Sequence, residues 1–88
     1  MLELVRMPTV LRHGRLRIVI YPADHRPAHV HVIGPDGEAV FNLNCPRGPV
    51  GLRENYGLPS RELAVAERVI NKHVSELCRA WEGIHGYT

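Results

Sequence analysis

Residues 29–42 read His29-Val30-His31-Val32-Ile33-Gly34-Pro35-Asp36-Gly37-Glu38-Ala39-Val40-Phe41-Asn42, and this stretch decides the fold. Two runs of alternating hydropathy flank a turn signal. Side chains of a strand point to opposite faces with a period of two. Val30 and Val32 therefore share one face, and His29, His31 and Ile33 share the other. Proline fixes φ for the second position of a tight turn, and Asp and Gly suit the positions after it. A turn centred on Pro35 and Asp36 pairs Ile33 with Glu38, Val32 with Ala39, His31 with Val40, Val30 with Phe41 and His29 with Asn42. The apolar residues Val30, Val32, Ala39 and Phe41 then lie on one face, and a slip of one residue would scatter them.

The other face of this hairpin carries His29, His31, Asn42 and Glu38. His29 and His31 are about 6.6 Å apart along the backbone, two residues on one strand. Glu38 is diagonal to His31, within side-chain reach. His25 lies four residues before His29 in a proline-containing loop that can fold it over the same face.

Upstream, residues 9–12 form a short apolar run, and Gly14 permits the positive φ of a tight turn. Leu16, Ile18 and Ile20 then alternate with Arg17, Val19 and Tyr21, and Pro22 ends the strand because proline cannot donate to a ladder. Downstream, residues 45–59 hold Pro46, Gly48, Pro49, Gly51, Gly57 and Pro59 and read as a long loop. Its binding-capable side chains are Arg47, Arg53, Glu54, Asn55 and Tyr56. A helix opens at Ser60 as N-cap, with Glu62 in the first turn. Leu63, Ala66, Ile70, Val74, Leu77 and Trp81 recur at steps of three and four, one apolar stripe that ends near Gly83. The expected architecture is α+β: an antiparallel sheet of three to four strands with one C-terminal helix packed on one face. The expected organisation is one domain over residues 7–82, an N-terminal extension over 1–6 and a C-terminal tail over 83–88. The histidine face is then open.

The chain has 88 residues, 44 % of them hydrophobic and 23 % charged, which suits one small globular domain. A net charge of +2 does not by itself argue for nucleic acid. Arg6, Arg12, His13, Arg15 and Arg17 make a local basic edge. Two cysteines, Cys45 and Cys78, stand far apart and outside any Cys-x-x-Cys pattern, which suggests neither a disulfide framework nor a zinc ribbon, and Cys78 reads as a buried free thiol in the helix. A reducing cytoplasm is the expected setting. No apolar run reaches the roughly 18 residues of a membrane span.

Three of the six histidines fall between residues 25 and 31. Imidazole titrates near neutrality and binds transition metals. His25, His29 and His31 are candidate ligands for zinc or a similar divalent metal, with water or Glu38 completing the sphere. His29, His31 and Glu38 are equally candidate acid–base catalysts for RNA cleavage, with Arg26, Arg47 or Arg53 holding the phosphate and Asn42 and Tyr56 as further contacts. A third reading has no catalysis: the sheet face docks a partner protein or a second copy of the chain, and a homo-oligomer is expected. Walker, Rossmann and His-Glu-x-x-His signatures are absent from the sequence.

Met7-Pro8-Thr9-Val10, Gly14, Ile20-Tyr21 and His25-x-Pro27-x-His29-Val30-His31-Val32 together resemble a family of small prokaryotic proteins, domain-of-unknown-function family 4160. The resemblance extends to Arg61-Glu62-Leu63 and on to Trp81. Ala28 stands where the family has a second proline, and residues 1–6 precede the family's usual start, so Met7 is as real a candidate initiator as Met1. The family has no settled activity. Its gene arrangement implies one component of a two-gene, toxin–antitoxin-like module, with a partner protein from the adjacent gene.

Overall fold

The computed structural model describes residues 9–86. The expected extension over residues 1–6, the alternative start at Met7 and the last two tail residues lie outside them. Five antiparallel strands form one sheet in chain order: β1 (Thr9–His13), β2 (Leu16–Val19), β3 (His29–Ile33), β4 (Glu38–Asn42) and β5 (Gly51–Tyr56). Two helices follow, α1 (Ser60–Lys72) and α2 (Val74–His85). The α+β class is as the sequence implies, with one strand and one helix more.

The β3–β4 hairpin has the register read from its sequence, from His29 opposite Asn42 to Ile33 opposite Glu38. The Gly34 amide donates to the Gly37 carbonyl across 2.9 Å and closes the turn. Val30, Val32, Ala39 and Phe41 are fully or almost fully buried, together with Leu16, Ile18 and Ile20. Ala66, Ile70, Val74, Leu77 and Trp81 cover them from the helical side as one core.

The extra strand comes out of the segment read as a loop. Gly51–Tyr56 pairs with β4, with Arg53 as the extra residue of a bulge between the Val40–Glu54 and Phe41–Leu52 pairs. Residues 52–56 are exposed, so no alternation of burial marks the strand. Backbone pairing alone defines it, at the edge of the sheet. Gly37 is required where β4 begins, because a Cβ there would collide with the Tyr56 carbonyl oxygen and with Gly57.

The single helix is divided at His73, whose amide is shared between the carbonyls of Val69 (3.2 Å) and Ile70 (3.1 Å). Asn71, His73 and Val74 are all weak helix formers, and the break falls among them. The apolar stripe continues across it. Ser60 is the first helical residue and makes no capping bond; Pro59 takes the extended N-cap conformation. At the far end Gly83 is tolerated inside α2, which runs on to His85, and Gly86 takes the positive φ (82°) at its end.

Cys45 and Cys78 are joined as a disulfide, so neither is a free thiol. Their Cα atoms are 5.8 Å apart. The turn after β4 brings them together: Asn44 Nδ2 donates to the Pro49 carbonyl (2.8 Å), and the Val50 amide donates to Asn71 Oδ1 on α1 (2.9 Å). Spacing in the sequence carries no trace of this loop-to-helix contact. Among the described residues, no helix is long and apolar enough to cross a membrane.

Candidate metal centre

The histidine face is not open. The segment between β2 and β3 folds back over it, pinned by the Asp24 amide donating to the Tyr21 carbonyl (3.0 Å) and the Tyr21 amide donating to Asp24 Oδ2 (3.1 Å). Val19 and Val40 are buried beneath it, outside the main core cluster. His29 is only 6 % exposed. Its ring centroid is 5.3 Å from that of Trp81 on α2 and 5.3 Å from that of His31, and Tyr21 packs edge-on against His31 at 4.7 Å.

Each histidine nitrogen has a definite neighbour. Nδ1 of His29 lies 2.9 Å from the Pro27 carbonyl oxygen, which only accepts, so this nitrogen carries the proton and donates. In the neutral ring Nε2 is then a bare lone pair, and it faces Asp24 Oδ2 at 3.5 Å. Nε2 of His31 lies 3.1–3.2 Å from both Asp24 oxygens. Nδ1 of His31 is buried without a hydrogen bond, and Glu38 Oε2 is 3.6 Å away.

Nε2 of His29 and the Asp24 carboxylate oxygen therefore need a cation between them in this poorly hydrated place, and either a proton or a metal ion can supply it. The donor atoms of Asp24, His29 and His31 all lie within 4.8 Å of one another. Ligands about 2.1 Å from a tetrahedral ion are about 3.4 Å apart, close to the 3.1–3.5 Å separations of Asp24 from the two imidazoles. Two histidines and one carboxylate with open positions are a donor set for zinc or a non-haem transition metal. The Pro27 carbonyl behind His29 and Glu38 behind His31 occupy the positions that orient ligating imidazoles in such centres.

The other residues singled out in the sequence divide by position. A cavity of about 300 Å³ opens over the cluster, lined by Asp24, His25, Arg26, His29, His31, Val40, Arg53 and Glu54 among others. His25 is exposed on its wall, outside the three-residue donor cluster. Arg26 also reaches the C-terminal end of α2, its Nη2 donating to the Gly86 carbonyl at 3.4 Å. Asn42 pairs with His29 in the ladder, and its Oδ1 is buried without a partner. Arg47 is exposed on the turn that carries Cys45, away from this cavity. Tyr56 borders a separate hollow with Glu38 and the β3–β4 turn. Its phenol is raised above the ordinary value, first by the hydrogen bond and charge of Glu54, then by slight desolvation and the charge of Glu38.

Asp24 is the member of the cluster that sequence reasoning missed. The available signal was modest: an Asp three residues after Tyr21, where a carboxylate can close a turn on its own backbone.

No match to the chain was found among curated proteins or among solved structures. One family model does match, over residues 16–82, which span β2 to α2 and include Asp24, His29, His31 and Glu38. The chain belongs to the family described as Domain of unknown function (DUF4160).

Proposed function

We propose that this protein is a metal-binding protein whose divalent transition metal, zinc or a neighbour of zinc, is held by Asp24, His29 and His31. The observation that carries the reading is the convergence of donor atoms of Asp24, His29 and His31 within 4.8 Å of one another, with Nε2 of buried His29 3.5 Å from Asp24 Oδ2 and its Nδ1 held by the Pro27 carbonyl. Asp24 Oδ2 and His29 Nε2 would both ligate a metal placed between them. His31 would present Nε2 to the metal and donate a hydrogen bond from Nδ1–H to Glu38. The same side chains used as acid–base catalysts on RNA are a weaker fit, because His29 is covered and one of its nitrogens is committed to the backbone.

The chain's one tryptophan, Trp81, reports on the site because its ring is 5.3 Å from that of His29. Titration of protein purified without a polyhistidine tag with cobalt(II) quenches Trp81 fluorescence at one equivalent, and elemental analysis of the protein as isolated finds a divalent metal. Asp24→Asn keeps the turn's shape and abolishes tight binding. Metal-free protein that is indifferent to added zinc and cobalt would overturn the reading.

A second reading concerns partners and has its own support. β5 is an edge strand with Leu52 52 % and Tyr56 60 % exposed. Unpaired edges invite strand addition. Antiparallel pairing of two copies about the Arg53–Glu54 step sets Arg53 of each copy opposite Glu54 of the other, an attractive cross-strand pair. We assign the proposed homo-oligomer to this edge. A role in a two-protein, toxin–antitoxin-like module in the cytoplasm remains the proposed setting, tested by co-purification with the adjacent gene's product.

A further inference from the structure

The metal reading leaves part of the cavity without a task. Three protein ligands leave at least one coordination position open, and the space beside them is the cavity of about 300 Å³. Its lining includes two arginines, Arg26 and Arg53, which arrive from different elements, the fold-back segment and the edge strand. Asp24 and Glu54 balance their charge. A divalent ion at Asp24, His29 and His31 gives the hollow an excess of two positive charges, so its affinity for anions depends on the metal.

We propose that this cavity binds a phosphoryl group, which completes the coordination sphere of the metal and is clamped by Arg26 and Arg53. The inference rests on the metal reading above. Guanidinium groups present forks of N–H donors matched to oxyanions. A planar carboxylate has two oxygens in one plane. A tetrahedral phosphoryl group has enough oxygens, spread in three dimensions, to meet a metal and two arginines that come from separate walls. The volume is at the small end of the roughly 300–1,000 Å³ typical of ligand pockets, which suits a phosphate monoester or a single phosphodiester unit.

Two probes separate the sources of such a group: phenyl phosphate as a monoester and a thymidine dinucleotide as a phosphodiester. Each is titrated into the full-length chain, with and without saturating zinc, by calorimetry. The expected result is that zinc strengthens binding of at least one probe by roughly 5–150-fold, and that the same probe strengthens zinc binding by the same factor, as linkage requires. With zinc saturating, Arg53→Gln and Arg26→Gln each weaken the probe about tenfold or more. Acetate binding as tight as the better probe would refute selectivity for phosphoryl groups. Zinc binding with neither probe affected would overturn this inference and leave the metal reading intact. Failure of zinc itself to bind would remove both.

Discussion

At the residue scale the centre is governed by where protons and lone pairs sit. Pro27 engages Nδ1 of His29 through a 2.9 Å hydrogen bond, and that contact turns Nε2 toward Asp24 Oδ2 at 3.5 Å. Glu38 stands 3.6 Å from the unsatisfied Nδ1 of His31. With the proposed metal on Nε2, the Nδ1 hydrogen of His31 would be free to hydrogen-bond Glu38. Glu38→Gln is therefore expected to lower zinc affinity by roughly 10–100-fold, the usual effect of an outer partner of a ligating imidazole. Competition with a chromophoric chelator measures it, and an unchanged affinity would remove Glu38 from the centre. Tyr56 gives a separate check on local electrostatics. Glu54 raises its phenol, so Glu54→Gln is expected to move the absorbance titration of that tyrosine down toward its ordinary value. A group whose folded pKa is raised contributes stability below its unfolded pKa and loses it as pH rises through the folded one. Tyr56 thus favours the folded state at neutral pH and ceases to do so in strong alkali. His29, His31 and Glu38 were legible from the sequence because period-two alternation and the turn fixed their face. Asp24 was not, because its place depends on a fold-back closed by the Tyr21 and Asp24 backbones.

At the scale of elements, legibility followed burial. The β3–β4 register could be read because one face had to be apolar along its whole length, so only one pairing met the constraint. β5 escaped because it buries almost nothing; its strand character lies in hydrogen bonds to β4, which leave no imprint on side-chain pattern. The division of the helix at His73 escaped for a related reason, since the stripe from Ala66 through Trp81 is continuous across it. What ties the exposed strand to the core hairpin is close approach at Gly37. Gly37→Ala forces the backbones of β4 and the Tyr56–Gly57 step apart and is expected to cost about 1–3 kcal/mol, the usual range for overpacking. Urea denaturation measures the loss. Its absence would mean that the β4–β5 junction yields freely. The same edge sets the assembly prediction. Leu52→Lys, which places a charge on an exposed edge strand, is expected to convert dimers to monomers in sedimentation at micromolar concentration. A wild-type chain that is monomeric throughout that range would refute the edge assignment.

At the scale of the whole molecule, an 88-residue chain has a thin core, and domains of this size lean on additional constraints. One is present here and a second is proposed. The Cys45–Cys78 disulfide closes a loop across a separation of 33 residues. The chain-entropy relation assigns such a loop about 3.7 kcal/mol, a large share of the roughly 5–15 kcal/mol that holds a typical domain folded. The proposed metal at Asp24, His29 and His31 would be the second, tying the fold-back segment to β3 as the disulfide ties the turn after β4 to α2. Both act on the surroundings of α2, which carries Cys78 and also Trp81, the ring packed against His29. In a reducing compartment the disulfide would be lost and the proposed metal would remain. A ligand that binds only the folded state at one hundred times its Kd adds about 2.7 kcal/mol. Reduction without metal is therefore expected to lower the unfolding free energy by about 3–4 kcal/mol, and saturating zinc to restore most of it. Urea unfolding with and without a phosphine reductant, each with and without zinc, measures all four states. Equal stability of the oxidised and reduced protein would show that the cross-link constrains nothing. Zinc that fails to stabilise the reduced chain would show that the centre does not substitute for it.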